Sequence, residues 1–179
     1  MTIALLMLCA SFTLAAELPG ELLRNGMQLT YSSNGKSLPP WTIQSVDADL
    51  SYDGMSGCTK TEVVYGNPDD RETKWECISD NLLHVHDGER WIPTRPIGEH
   101  MRFGNYETHE SAIQELGGFR LKTVKTIRYN YNGDGTIKNR LREYYSVGLG
   151  TATEGVFEIP AWTPFNTFKL ISISQFDWK

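Results

Sequence analysis

The chain has 179 residues and only three cysteines. After its first sixteen residues, no apolar run approaches the roughly 20 residues that a membrane-spanning helix requires. It has no basic excess: 17 Lys+Arg stand against 22 Asp+Glu, a net charge of −5. A nucleic-acid groove needs a positive field, so nucleic acid is excluded as a partner. No segment has good helix caps and more than two turns of helical periodicity. There is no internal repeat, low-complexity tract or dividing linker. With 22% charged and 40% hydrophobic residues, disorder and collagen-like structure are also excluded.

The N-terminus has a clear pattern. Residues 2–16 (TIALLMLCASFTLAA) carry no charge before Glu17 and end in Ala15-Ala16. An apolar core of about a dozen residues followed by small residues is the pattern of a secretory signal peptide. The expected organisation is a leader over 1–16 and one β-rich domain over 17–179, periplasmic or secreted and not membrane-spanning once the leader is removed. Cys9 sits early in the apolar run between Leu8 and Ala10, a poor context for lipidation. Removing the leader leaves Cys58 and Cys77. An even count in an oxidising compartment predicts one disulfide, worth about 3 kcal/mol by loop-closure entropy.

The mature chain reads as strands. Met27–Ser32, Trp41–Leu50 (irregular near Ser45), Lys60–Tyr65, Thr73–Ser79 and Leu82–His86 carry β-rich runs. Between them stand Asn34-Gly35, Pro39-Pro40, Asp53-Gly54 with Ser56-Gly57, Gly66–Asp70 and Asp80-Asn81 as turn signals. Arg90–Pro93 follows Asp87-Gly88, with Pro93 and Pro96 expected to end its regularity. Phe119, Leu121, Ile127, Tyr129 and Tyr131 share odd parity, a period-2 signature. Asn132–Gly135 turns the chain into Lys138–Val147, where Leu141, Tyr145 and Val147 oppose Arg140 and Arg142. Thr151–Ile159 and Phe168–Trp178 complete the set. The latter is apolar on both faces, as a central strand is. Glu17–Arg24 and Asn105–Leu116 are the two short helix candidates, although Ser111–Glu115 also reads as a strand. Turns every 8–12 residues or so predict a mainly β fold: a single antiparallel curved sheet, half-barrel or barrel-like, with little helix.

The chemistry-bearing patterns are each incomplete. Asn130-x-Asn132-x-Asp134-Gly135 imitates half of a calcium loop, but its twelfth position is Leu141, not a carboxylate. His84-x-His86, near Asp87 and Glu89, puts two imidazoles on one strand face. A metal site would need His100, His109 or a distant carboxylate as well. Ser56 lies one residue short of a nucleophile elbow. Gly148-x-Gly150 leads into strand-like residues and cradles no phosphate. Asp47/Asp49 and Asp69/Asp70 read as solvated pairs. No catalytic, cofactor-binding or metal residue is therefore assigned. Trp41, Trp75, Trp91, Trp162 and Trp178 read as packing residues. The Pro-bracketed loop Pro160–Phe165 has the character of a mouth or lid.

The run Glu143–Gly150 (EYYSVGLG) resembles a segment of the TapB-like bacterial exported β-proteins, in which an aromatic strand enters a Gly-x-Gly turn. Ser146-Val147 stand where that group has Ala-Pro, and Thr151-Ala152 replace its β-branched and charged continuation. Ala112–Phe119 and Gly26–Tyr31 are similar to two further segments of the group. The resemblance implies a curved antiparallel sheet of the general form of the LolA/LolB lipoprotein carriers, and carries no catalytic residue. The expected function is a non-enzymatic cell-envelope protein that binds an apolar small molecule, a lipid or an envelope protein. Alternatives are a secreted hydrolase with a His/acidic site, or a module that adds a partner strand at an open edge.

Overall fold

A computed structural model describes residues 16–17, 26–34, 41–116 and 118–175. Residues 1–15 with Cys9, the helix candidate beyond Glu17, the Pro39-Pro40 break and Trp178 lie outside these residues, as do the side chains of Val46, Asp47 and Asp49. The described residues contain no helix. Their strands are β1 (Ala16–Glu17), β2 (Met27–Ser33), β3 (Trp41–Tyr52), β4 (Met55–Tyr65), β5 (Arg71–Ser79), β6 (Leu82–His86) and β7 (Trp91–Pro96). They continue as β8 (Arg102–Phe103), β9 (Tyr106–Leu116), β10 (Phe119–Tyr131), β11 (Ile137–Ser146), β12 (Thr151–Ile159) and β13 (Thr163–Gln175).

Twelve strands form one antiparallel sheet with the order β7-β6-β5-β4-β3-β2-β13-β12-β11-β10-β9-β8. Two meanders, β2–β7 and β8–β13, are thus joined along β2 and β13, and the sheet curls until its two ends nearly meet. The result is a barrel with one unsealed seam between β7 and the β8–β9 edge. Ala16 and Glu17, on either side of the expected leader cut, pair in parallel with Phe119 and Arg120.

The turns form where the sequence marks them. Asp80 and Asn81 both adopt positive φ (53° and 58°) between β5 and β6, the two-residue geometry that matches strand twist. Asp134 accepts hydrogen bonds from the Thr136 amide and hydroxyl, so the calcium-like run is a hairpin turn. Ser56-Gly57 lies within β4 instead of closing a turn. Gly57 (φ 68°) is the extra residue between the pairs Tyr52↔Met55 and Leu50↔Cys58, and such a bulge favours glycine. Asn105–Leu116 is not helical. From Tyr106 it is β9, because its residues find ladder partners on β10 from Phe119 to Arg128. Pro93 does not end β7, which runs through it and stops at Pro96 as expected. β7 is a sheet edge, where a missing N–H costs no ladder bond.

The core draws Leu29 and Tyr31 from β2, Leu121 from β10, Leu141 and Tyr145 from β11, and Leu170 from β13, each at most 5% exposed. Burying a side chain such as Leu170 contributes about 1.5–3 kcal/mol. Ile171 is an extra residue between the pairs Leu170↔Tyr31 and Ser172↔Thr30. It points outward, and Ile173 then rejoins the core, which explains the apolar residues on both parities. The odd-parity set of β10 divides. Phe119 and Leu121 pack on the core, whereas Ile127 and Tyr129 lie opposite Arg142 and Arg140, and Tyr131 is exposed. Cys58 and Cys77 face each other across β4 and β5 with Cα atoms 4.3 Å apart and are disulfide-bonded.

Candidate functional site

The barrel interior holds two adjacent recesses, both walled by Trp41 and Phe168. Alternation along β2, β3 and β13 aims these rings inward. Tyr31 and Trp41 are cross-strand partners and stack at 4.8 Å, and Phe168 meets Trp41 at 5.3 Å. Gly155 is the cross-strand neighbour of Phe168, and the ring lies directly over it.

One recess, of about 250 Å³, is apolar. Ile43, Val63, Tyr65 and Phe157 complete its wall with Trp41 and Phe168, and Lys74 is its one charged side chain. Phe157 also touches Phe165 at a ring separation of 5.9 Å, which brings the Pro160–Phe165 segment beside this recess. The turn itself is Pro160–Trp162, and β13 begins at Thr163. Ala161 and Trp162 hold positive φ (69° and 56°), an uncommon conformation for residues with side chains. The Arg140 guanidinium sits 3.8 Å from the centre of the Trp162 ring, a cation–π contact.

The second recess, of about 190 Å³, is lined by Tyr31, Tyr145, Leu83 and three charged residues, Glu76, Arg95 and Glu143. Arg95 comes from edge strand β7 and reaches across the interior to β11, where it bonds Glu143 at 3.2 Å. Its guanidinium also lies over the rings of Tyr145 and Tyr106, at 4.9 and 5.5 Å. One side chain thus ties β7 to the far side of the unsealed seam. Thr108 adds a second tie: its hydroxyl donates to the Gly98 carbonyl at 2.6 Å and accepts from the Met101 amide at 2.8 Å.

Burial opposes the Arg95 charge, but Glu143, Tyr145 and Tyr106 more than offset it and hold the guanidinium above its ordinary range. Glu76 has no such close partner among the described residues. Burial pushes its carboxyl up to about 7, against the weaker pull of Lys74 and Arg95. Burial likewise raises the Tyr31 and Tyr145 hydroxyls. Tyr31 donates to the Ala152 carbonyl at 2.8 Å. The Tyr145 hydroxyl is buried with no hydrogen-bond partner among the described residues, an arrangement that costs about 1–3 kcal/mol if it stays unmade.

The residues singled out in the sequence are not drawn together. The Gly88 amide donates to His86 Nδ1, which places the His86 proton on Nε2, 3.0 Å from Asp53 Oδ2. Both ring nitrogens are therefore engaged. His84 opposes Cys77 and Pro93, and its buried Nδ1 has no partner among the described residues. His109 lies 3.3 Å from Glu107 and His100 is in the β7–β8 loop. Among the described residues, no three His, Cys, Asp or Glu side chains form a metal-sized group. Ser56 is in strand β4, away from any turn into a helix. Of the tryptophans, Trp41 lines both recesses. Trp75 and Trp91 join Tyr52 and His86 in an aromatic cluster on the sheet face opposite Glu76. Glu76, Arg95 and Glu143 escaped sequence reasoning, although Glu143 shares parity with the inward Leu141 and Tyr145.

No family model and no curated protein matches the chain. The fold is similar to that of a Bacteroides fragilis protein described as exported, with a YmcC-like fold. The identity is 12%, the TM-score is 0.58, and the match covers 87% of this chain and 98% of that one. Looser likenesses reach the MucA/MucB complex of Pseudomonas aeruginosa (8% identity, 83% of this chain and 50% of that one, TM-score 0.43). They also reach a LolA superfamily protein of Nitrosomonas europaea (9% identity, 89% and 90%, TM-score 0.26).

Proposed function

We propose that this is an exported envelope protein, periplasmic or secreted, that binds an apolar ligand or lipid inside its barrel and does not act as an enzyme. The apolar recess between Trp41, Val63, Phe157 and Phe168 carries this reading. Neither recess alone reaches the roughly 300 Å³ at which ligand pockets begin, but the two together do. The leader pattern, the disulfide and the exported protein of similar fold support the compartment. Kinship with the TapB-like group, and carrier behaviour of the LolA/LolB kind, belong to the same proposal. Strand addition is less favoured, because edge β7 carries Pro93 and Pro96, which discourage pairing.

Native mass spectrometry of protein purified from an envelope fraction tests the proposal. A co-purifying mass of lipid size is expected in the wild type and absent from Val63→Phe, which fills the apolar recess. A wild type that carries no such mass and takes up no added fatty alcohol overturns it.

A further inference from the structure

The deep recess selects by charge as well as by shape. It presents two carboxylates, Glu76 and Glu143, against one guanidinium, Arg95. Arg95 is already committed, bonded to Glu143 and flanked by the Tyr106 and Tyr145 rings. An anionic head would have to displace Glu143 and leave that carboxylate, only 6% exposed at its side chain, buried without its partner, which is strongly destabilising. Glu76 is the carboxylate left over, and it makes no hydrogen bond or close ion pair among the described residues. Tyr31, Trp41 and Phe168 line the same recess, with Tyr31 and Trp41 stacked on each other. Aromatic faces next to a carboxylate attract an ammonium group through ring quadrupole and counter-charge together. The Tyr145 hydroxyl, 1% exposed and unpartnered, offers its oxygen to one ammonium N–H.

Resting on the ligand-binding reading above, we infer that the bound molecule is a single-chain amphiphile with a cationic amine head. The ammonium lies in the deep recess against Glu76, and the hydrocarbon passes Trp41 and Phe168 into the apolar recess. The ammonium arrives already protonated, and Glu76, whose carboxyl burial raises to about 7, releases its proton to solvent as the ion pair forms.

The test compares three probes of equal chain length, dodecylamine, dodecanol and dodecanoic acid, each below its micellar concentration. Calorimetry at neutral pH on the mature protein reads their affinities. The amine is expected to bind about tenfold or more tighter than the alcohol, the size of a desolvated cation–π contact with its counter-ion. The acid is expected to bind more weakly than the alcohol. In Glu76→Gln the ratio of amine to alcohol affinity should fall to near one. If that variant does not fold, Tyr145→Phe supplies the second arm, with an expected loss of about threefold for dodecylamine. Equal affinity for the three probes, or a preference for the acid, overturns the head-group assignment and leaves the binding proposal standing. No binding of any probe overturns both.

Discussion

The two recesses share the Trp41 and Phe168 wall and differ in everything else. The apolar one is built from residues that strand alternation sends inward, Ile43 and Val63 being direct cross-strand partners. It follows ordinary core logic, except that it is left unfilled. The deep one places Glu76, Arg95 and Glu143 where core logic would place leucine. Burying such groups costs several kcal/mol per ion, and hydrophobic replacements are often as stable or more so. The first recess therefore reads as capacity and the second as selectivity.

The largest expected effect comes from breaking the pair that organises the deep recess. Glu143→Ala removes the one close carboxylate of Arg95 and leaves the guanidinium, 18% exposed at its side chain, with only ring contacts and the more distant Glu76. Loss of about 3–5 kcal/mol is expected, read as a shifted urea midpoint. Because Arg95 also ties β7 across the seam, amide exchange of β7 should accelerate more than that of β4. A loss below about 1 kcal/mol would mean that the pair is solvated like a surface ion pair.

Part of the apolar wall was legible in the sequence, because period-2 alternation places Trp41 and Ile43 inward, and the hairpin signals at Asp53-Gly54, Asp80-Asn81 and Asn132–Gly135 fall where chain reversals occur. The deep recess was not. On β5, Trp75 and Cys77 are the more apolar set and would be taken as inward, yet Glu76 faces in. The turn at Asp53 explains this: it packs on Trp91 and His86, and Tyr52 stacks on Trp75. The opposite face of β5 thus acquires a cover of its own, through long-range contacts that no local pattern encodes. Bulges hid the rest. The single extra residue Ile171 exchanges the two faces of β13 partway along its length.

The second prediction concerns pH. The folded-state Glu76 carboxyl is raised to about 7 from an ordinary 4.5 by burial. Between those values the folded state holds a proton that the unfolded chain releases, so stability is full below about 4.5 and falls as pH rises through 7. The loss is on the order of 3 kcal/mol. Lys74, Arg95 and Glu72 are the charges that act on it. Asp87, Glu99 and Asp134, whose carboxyls are lowered by hydrogen bonds, act in the opposite sense at lower pH, so the informative quantity is the difference between wild type and Glu76→Gln. That difference should change between pH 4.5 and 7 and be flat below. A flat difference throughout would place Glu76 in contact with bulk water.

The smallest effect separates the recesses most cleanly. A Cβ at position 155 would fall on the ring carbons of Phe168, and Gly155 itself has no positive φ to defend. Alanine is therefore disfavoured by the ring and not by the backbone. Gly155→Ala must turn Phe168 away from β12, into the shared wall of the two recesses. Overpacking of this kind costs about 1–3 kcal/mol, partly offset by the 0.4–1 kcal/mol or so that alanine gains by restricting the unfolded chain. The ring should then narrow the passage to the apolar recess while the Arg95–Glu143 pair stays in place. The expected signature is a weakened affinity for straight-chain alcohols such as dodecanol, with a loss that grows with chain length, accompanied by a wild-type pH slope. If Gly155→Ala instead flattens the pH slope and leaves long-chain binding intact, Phe168 belongs to the wall of the charged recess alone, and the two spaces do not form one continuous site.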